Sequence, residues 1–175
     1  ISKSRSATVP WLVYHKSLGA NQYLLLNTSD ASTTLNGVYT ASSSQFTITS
    51  QTANATYVSY LFAEMPGFSA FGSYTGNGST DGPFVYTGFR PAWIMIKRSD
   101  SVENWNLYDN KRNRYNIADL ELYPNLTNSE GTTADRDFLS NGFKIRSNNI
   151  GRNASGGTYI YAAFAENPFK YSLAR

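Results

Sequence analysis

Tyr57-Val-Ser-Tyr-Leu-Phe-Ala-Glu64 and Tyr159-Ile-Tyr-Ala-Ala-Phe-Ala-Glu166 read as one strand written twice. Each opens on Tyr, runs through β-branched, aromatic and small residues, and closes on a single Glu just before a Pro turn. A run that is apolar on both faces suits a strand covered from both sides, so the strand over 57–64 is expected to lie centrally in the sandwich. The duplication extends upstream. Ile1-Ser-Lys3 and Trp11-Leu-Val-Tyr14 match Met95-Ile-Lys97 and Trp105-Asn-Leu-Tyr108 at one constant offset, with no gap between the blocks. Phe46-Thr-Ile-Thr-Ser50 matches Phe143-Lys-Ile-Arg-Ser147, and Met65-Pro-Gly-Phe68 matches Asn167-Pro-Phe169. Ordered blocks of this kind mark an internal repeat. Its copies lie at approximately 1–68 and 95–169, with a junction over 69–94.

The rest of the chain supplies strands and turns. Phe46 and Ile48 alternate with Thr47 and Thr49, which is period two, and Trp93-Ile-Met-Ile-Lys97 is a short apolar run. Turn chemistry separates the runs at Asn36-Gly37, Asn77-Gly78, Asp81-Gly82-Pro83, Asn141-Gly142 and Ser155-Gly156-Gly157. Residues 116–126 and 134–139 read as short helical turns. The pattern predicts an all-β chain: a β-sandwich, jelly-roll or concanavalin-like, built from two copies of a strand motif and forming a single domain over 1–175. Copy one lacks the lead-in Thr87-Gly-Phe-Arg-Pro-Ala-Trp93 of copy two, and copy two stops where copy one runs on into a Gly-rich loop. Both ends therefore read as cut from a longer polypeptide.

Composition narrows the function classes. With 175 residues the chain can bury a core large enough to stand without staples, and with no Cys it has no disulfide, thiol or zinc-thiolate chemistry. The net charge of +3 is scattered apart from Lys111, Arg112 and Arg114, a solvated loop rather than a nucleic-acid footprint. No apolar stretch approaches the roughly 20 residues of a spanning helix, so no membrane insertion is expected.

Candidate residues divide into scaffold and contact groups. The repeat pairs Trp11 with Trp105, Tyr14 with Tyr108, Phe46 with Phe143 and Glu64 with Glu166. A side chain repeated at one place in both copies suits a structural job better than a reaction. Two carboxylates could work on a sugar as acid and base, but Glu64 and Glu166 each hold the same place in their own copy. His15 is the sole histidine and its counterpart is Asp109, which suits a surface imidazole beside Lys16 rather than a triad base. Trp93 is expected to be buried. No catalytic residue, metal ligand or cofactor is assigned. The loop over 72–83 is the best contact candidate: Tyr74 could stack on a sugar face beside the oxygens of Asn77 and Asp81. Tyr108, Tyr115 and Tyr123 are expected to be exposed, where Tyr offers apolar area and a hydroxyl at low entropy cost.

The run Tyr60-Leu-Phe-Ala-Glu-Met-Pro-Gly-Phe-Ser-Ala-Phe-Gly-Ser-Tyr-Thr-Gly-Asn-Gly-Ser-Thr-Asp-Gly-Pro-Phe-Val-Tyr-Thr-Gly-Phe-Arg-Pro-Ala-Trp93 resembles a domain family common in tailed-bacteriophage structural proteins, as does Ser155-Gly-Gly-Thr-Tyr-Ile-Tyr-Ala-Ala-Phe-Ala-Glu-Asn-Pro-Phe-Lys170. Such domains are described as tail-fibre-like or concanavalin-like β-sandwiches. The resemblance implies a virion-surface, extracellular location, other virion proteins as partners, a homo-oligomer, and loops that meet a host surface, with its glycans as candidate ligands. It transfers no binding residues. A purely architectural role, as a capsid decoration or fibre connector, is the alternative, and a polysaccharide depolymerase a third.

Overall fold

A computed structural model describes residues 1–19, 21–34, 39–42, 45–48, 54–113 and 115–168. Copy one contributes β1 (Ser2–Ser4), β2 (Leu12–Val13), β3 (Gln22–Leu25), β4 (Thr33–Thr34), β5 (Tyr39–Ala41), β6 (Phe46–Ile48) and β7 (Tyr57–Ser59). There follow β8 (Ser69–Thr75), β9 (Phe84–Tyr86), β10 (Pro91–Arg98), β11 (Trp105–Asp109), β12 (Ala118–Glu121), β13 (Gly131–Leu139), β14 (Gly142–Ile145), the short helix α1 (Ile150–Asn153) and β15 (Thr158–Ala165). All pairings are antiparallel, in sheets ordered β4-β3-β2-β1-β7, β11-β10-β15-β8, β12-β13-β14-β9 and β5-β6. The chain is all-β and sandwich-like.

The repeat is visible in the pairing itself. In copy one β1 pairs β2 through Ser2↔Leu12, and β7 through Ser2↔Ser59, Lys3↔Val58 and Ser4↔Tyr57. The matched residues of copy two are Ile96↔Asn106, Ile96↔Tyr161, Lys97↔Ile160 and Arg98↔Tyr159, and these are pairs that β10 makes with β11 and β15. Ala41↔Phe46 in the β5–β6 hairpin answers Phe138↔Phe143 in β13–β14, and Tyr23↔Thr33 answers Glu121↔Gly131. A slip of one residue would turn every side chain to the other face, so shared register means shared inside and outside. Trp11 and Trp105 enter the unit alike. Each backbone N–H donates to an Asn side-chain oxygen, Asn27 at 2.8 Å and Asn125 at 3.1 Å.

The main core lies between the β11-β10-β15-β8 and β12-β13-β14-β9 sheets of copy two. Ile94, Ile96, Tyr108, Tyr159 and Ala163 from the first meet Val85, Phe138, Phe143 and Ile145 from the second, and all are buried. Gly142 lets β9 lie beside β14: a Cβ there would sit 2.1 Å from the Val85 carbonyl oxygen. Copy one covers the opposite face of the first sheet. Val13 and Leu24 pack on Trp105 and Ile160 there, with Ile1, Leu18, Leu26 and Met95 around them. The seam is also bonded: Trp105 Nε1 donates to Leu25 O at 2.9 Å, Ser32 N to Ser99 O at 2.8 Å and Glu103 N to Ser29 O at 2.9 Å. Lys97 is wholly buried in it, donating to Arg98 O at 2.7 Å and Ser29 O at 3.3 Å. Burial pushes the Lys97 pKa down to about 8, against the opposing pull of Glu103 and Asp30.

Several expectations are corrected. β15 is central, between β10 and β8, but its counterpart β7 is an edge strand. The segments read as helical turns carry β12 and the second half of β13, because their polar residues are bonded inside the sandwich rather than turned to solvent. Residues 69–94 hold β8 and β9 and the start of β10, which join the sheets of copy two. Asn36-Gly37, Arg114 and the ends of the matched blocks at Ser50, Phe169 and Lys170 lie outside the described residues.

Phe143 is 0% exposed and meets Tyr74 and Tyr161 edge-on at 6.2 and 5.5 Å, while its counterpart Phe46 is only partly buried. Phe143→Ala is therefore expected to cost about 3–5 kcal/mol of unfolding free energy and Phe46→Ala about 1–2 kcal/mol, by urea denaturation. Equal losses would mean that the copies share the load.

Candidate functional site

A groove of about 530 Å³ opens beside the seam between the copies. Its floor is the outer face of the β11-β10-β15-β8 sheet, with Trp93, Met95, Phe71 and Phe164, and copy one lines it with Ile1, Val13, Tyr14, His15 and residues 60–64. The rings form one cluster: Phe62, Phe71 and Phe164 lie 5.9 to 6.3 Å apart, and Trp93 is 5.5 Å from Phe164. Trp93, expected to be buried, is half-buried because it faces this groove rather than the main core. Beside the groove Tyr60, Leu61, Phe62 and Met65 are 51%, 66%, 55% and 44% exposed. Such a contiguous apolar strip is unusual on an isolated domain.

The polar groups at the rim are already engaged. Lys16 pairs with Glu64 in the open, a contact worth little in water. His15 is buried rather than on the surface: Nε2 donates to Tyr161 O at 3.0 Å and Nδ1 accepts from Ser17 N at 3.1 Å. This arrangement fits a neutral imidazole, and burial pushes the His15 pKa below its ordinary value. Glu166 is 3.0 Å from Arg90 Nε and accepts from Asn110 Nδ2 at 2.8 Å. The two repeated glutamates thus sit in different surroundings, each in its own pair. Among the described residues no group of three or more His, Asp or Glu side chains could hold a metal.

The expected contact residues are mostly scaffold. Tyr74 is buried, stacks on Tyr159 at 4.9 Å and donates to Arg152 O at 2.8 Å. Its ring fills the core and cannot stack on a sugar. Asn77 is tied into its own loop: its oxygen accepts from Ser79 N at 3.0 Å and from Asn153 Nδ2 at 2.9 Å, and its Nδ2 donates to Asp81 O at 2.9 Å. Asp81 is exposed and 2.7 Å from Lys144, which holds its carboxyl below the usual range. Tyr115 is 83% exposed, as expected. Tyr108 is 0% exposed, against expectation, because it anchors a buried charge cluster.

In that cluster Arg152 pairs with Glu121, stands 2.9 Å from Asp135 and donates to Tyr108 OH at 2.7 Å, while Tyr108 donates to Glu121 at 2.5 Å. Asp135 also pairs with Arg136, and Tyr123 donates to Glu121. Burial pushes the Glu121 carboxyl up, but the bonds from Arg152, Tyr108 and Tyr123 outweigh it and hold it below its ordinary value. Sequence reading named Tyr108 and Tyr123 as exposed contacts and missed Arg152, Glu121, Asp135 and Arg136, since nothing along the chain links Arg152 to Glu121. The groove aromatics were half-legible: Phe62 and Phe164 are matched positions of the repeat.

Removing one partner of a buried pair leaves the other charge uncompensated, so Arg152→Met is expected to cost about 3–5 kcal/mol in chemical denaturation. His15 gives a pH signature. Its folded pKa lies below the unfolded value of 6.5, so the unfolded chain takes up the proton first and stability falls as pH drops below 6.5. Melting curves between pH 7 and 5 are expected to show this decline in the natural chain and to lose much of it in His15→Gln.

The model of one protein family, described as a domain of unknown function (DUF7483), matches residues 1–168. No curated protein and no solved structure matches the chain. With the match running from the first strand of copy one to the last strand of copy two, the chain belongs to the DUF7483 family.

Proposed function

We propose that this chain is a non-catalytic structural domain of a virion surface, of tail-fibre or surface-fibre type, whose main work is to dock onto neighbouring polypeptide. The observation that carries the reading is the exposed strip Tyr60, Leu61, Phe62 and Met65 beside the aromatic groove. Exposed apolar area of this kind is stabilised when a partner covers it. The resemblance of 60–93 and 155–170 to phage structural domains supports the location. The engagement of Glu64 and Glu166 in separate pairs supports a scaffold rather than a depolymerase. A homo-oligomeric fibre would present several copies at once, so that weak contacts add through avidity.

Host-surface contact by the loops, with glycan as ligand, is a second reading, favoured by the exposure of Tyr115. A glycan-array screen without binding, together with normal adsorption by particles carrying Tyr115→Ala, would end it.

Docking is tested by Leu61→Asp in the virion protein. Leu61 is 66% exposed, so the domain should melt within about 1 kcal/mol of the natural one. Its recovery in purified particles, by quantitative mass spectrometry, is expected to drop about tenfold or more, the effect of roughly 1.4 kcal/mol or more of lost contact. Unchanged incorporation, or absence of the natural chain from particles, would overturn the reading.

A further inference from the structure

The repeat leaves an edge open in copy one that copy two fills. β15 has a neighbour on both sides along most of its length: β10 from Pro91↔Ala165 to Arg98↔Tyr159, and β8 from Ser69↔Phe164 to Thr75↔Thr158. The matched stretch of copy one has β1 beside Tyr57–Ser59 and, among the described residues, no strand on its other side. Ile1 and Tyr60 exchange both backbone hydrogen bonds, at 3.0 and 2.8 Å. The alternation of an antiparallel ladder then turns the N–H and C=O groups of Tyr57, Ser59 and Leu61 away from β1. Their counterparts Tyr159, Tyr161 and Ala163 are the residues opposite Tyr74, Gly72 and Ala70 of β8. The side chains differ in the same sense: Ala163 is 0% exposed and Leu61 66%.

We infer that this edge takes an added strand: an extended segment of another polypeptide chain, of β8-like composition, pairing antiparallel with residues 57–61. The inference rests on the docking reading and names its partner chemistry. β8 shows what such a strand is made of. Ser69-Ala-Phe-Gly-Ser-Tyr-Thr75 is uncharged and mixes small with aromatic residues. Within this chain that strand is already held by β15. The two copies also differ in what they demand of that strand. Gly72 is forced by Tyr161, since a Cβ there would lie 2.7 Å from the tyrosine hydroxyl oxygen. The counterpart of Tyr161 is Ser59, whose hydroxyl lies 2.9 Å from that of Ser2. A β-branched or aromatic residue therefore fits opposite Ser59, where β8 itself needs glycine. Opposite Leu61 the occupant needs a small residue, because the bulk there is already on the β7 side. Pairing of backbone groups gives affinity and the alternate pockets give selectivity, as in strand addition generally.

The test uses a synthetic peptide, Ser-Ala-Phe-Val-Ser-Tyr-Thr, which is β8 with Gly72→Val, titrated onto the domain and read by amide hydrogen exchange. Saturating peptide is expected to slow exchange at Tyr57, Ser59 and Leu61 about tenfold or more, and at Val58 much less. A second peptide with Pro in place of that Val cannot donate its central N–H and is expected to give no protection. Equal protection by the two peptides, or none by the first, overturns the inference. So does protection that rises with domain concentration alone, which would mean that two copies pair edge to edge. If Leu61→Asp blocks incorporation while the peptide fails, docking stands and its strand partner does not.

Discussion

Trp105 is where the two copies are locked together, and the sheet that carries it cannot be left bare. Its indole is 2% exposed, packed with Ile160 against Val13 and Leu24, and its Nε1 is satisfied by Leu25 O across the seam. A buried indole without that acceptor would carry an unpaired donor. Each large apolar side chain closed into the seam stabilises it by roughly 1.5–3 kcal/mol relative to exposure. Lys97 shows how complete the exclusion of water is. An ammonium held only by two carbonyl oxygens keeps its proton less readily, hence the pKa of about 8. Copy one is therefore less an independent sandwich than the cover for an outer face of copy two.

The side chains of copy one fit that role. Where copy two has Ile96, Arg98 and Tyr161 on the strands that face its core, copy one has Ser2, Ser4 and Ser59. Ser2 and Ser4 are buried with their hydroxyls bonded, which costs little, yet they add almost no transfer free energy, and Ser59 is exposed. Copy two gains β8 and β9, a ring-filled core and a charge cluster drawn from both sheets. The same register thus supports one half that encloses the main core and one packed on its neighbour. Duplication permits this division, because a strand motif tolerates exchange of its inward residues while its backbone pairing persists.

Reading the sequence recovered the repeat and the all-β class because pairing register is carried by spacing, and spacing survives when side chains change. It placed Trp105 and Phe143 correctly in the scaffold for that reason. It could not tell an edge strand from a central one, since Tyr57-Val-Ser-Tyr-Leu-Phe-Ala states what neighbours it can accept and not which are supplied. It read Ala134-Asp-Arg-Asp-Phe-Leu139 as a short helical turn, although Asp135 and Arg136 lie on a strand inside the sandwich. Their partners Arg152 and Tyr108 are distant in the chain and meet them only in the folded sandwich. Tyr74 and Tyr108 misled in a related way: a tyrosine suits a contact surface or a core with a buried acceptor, and composition does not distinguish them. The groove was hidden because it is made by two copies together.

The charge cluster and the open edge are two consequences of one asymmetry. A buried pair such as Arg152–Glu121 contributes less net stability than its Coulomb attraction suggests, because both charges lose their water. What it does impose is geometry: Arg152 accepts only an arrangement in which Glu121, Asp135 and Tyr108 converge, and this fixes the mutual position of β11, β12, β13 and α1. At the matched positions copy one has Tyr14 for Tyr108 and Tyr23 for Glu121, so it lacks that charged anchor and depends on the seam for its position. Under the docking proposal, a rigid half that fixes orientation and an edge that remains able to pair make a workable division of labour. An edge of this kind is a hazard when exposed for long. That hazard is the physical reason for expecting the strip over 60–65 to be covered in the protein's working state.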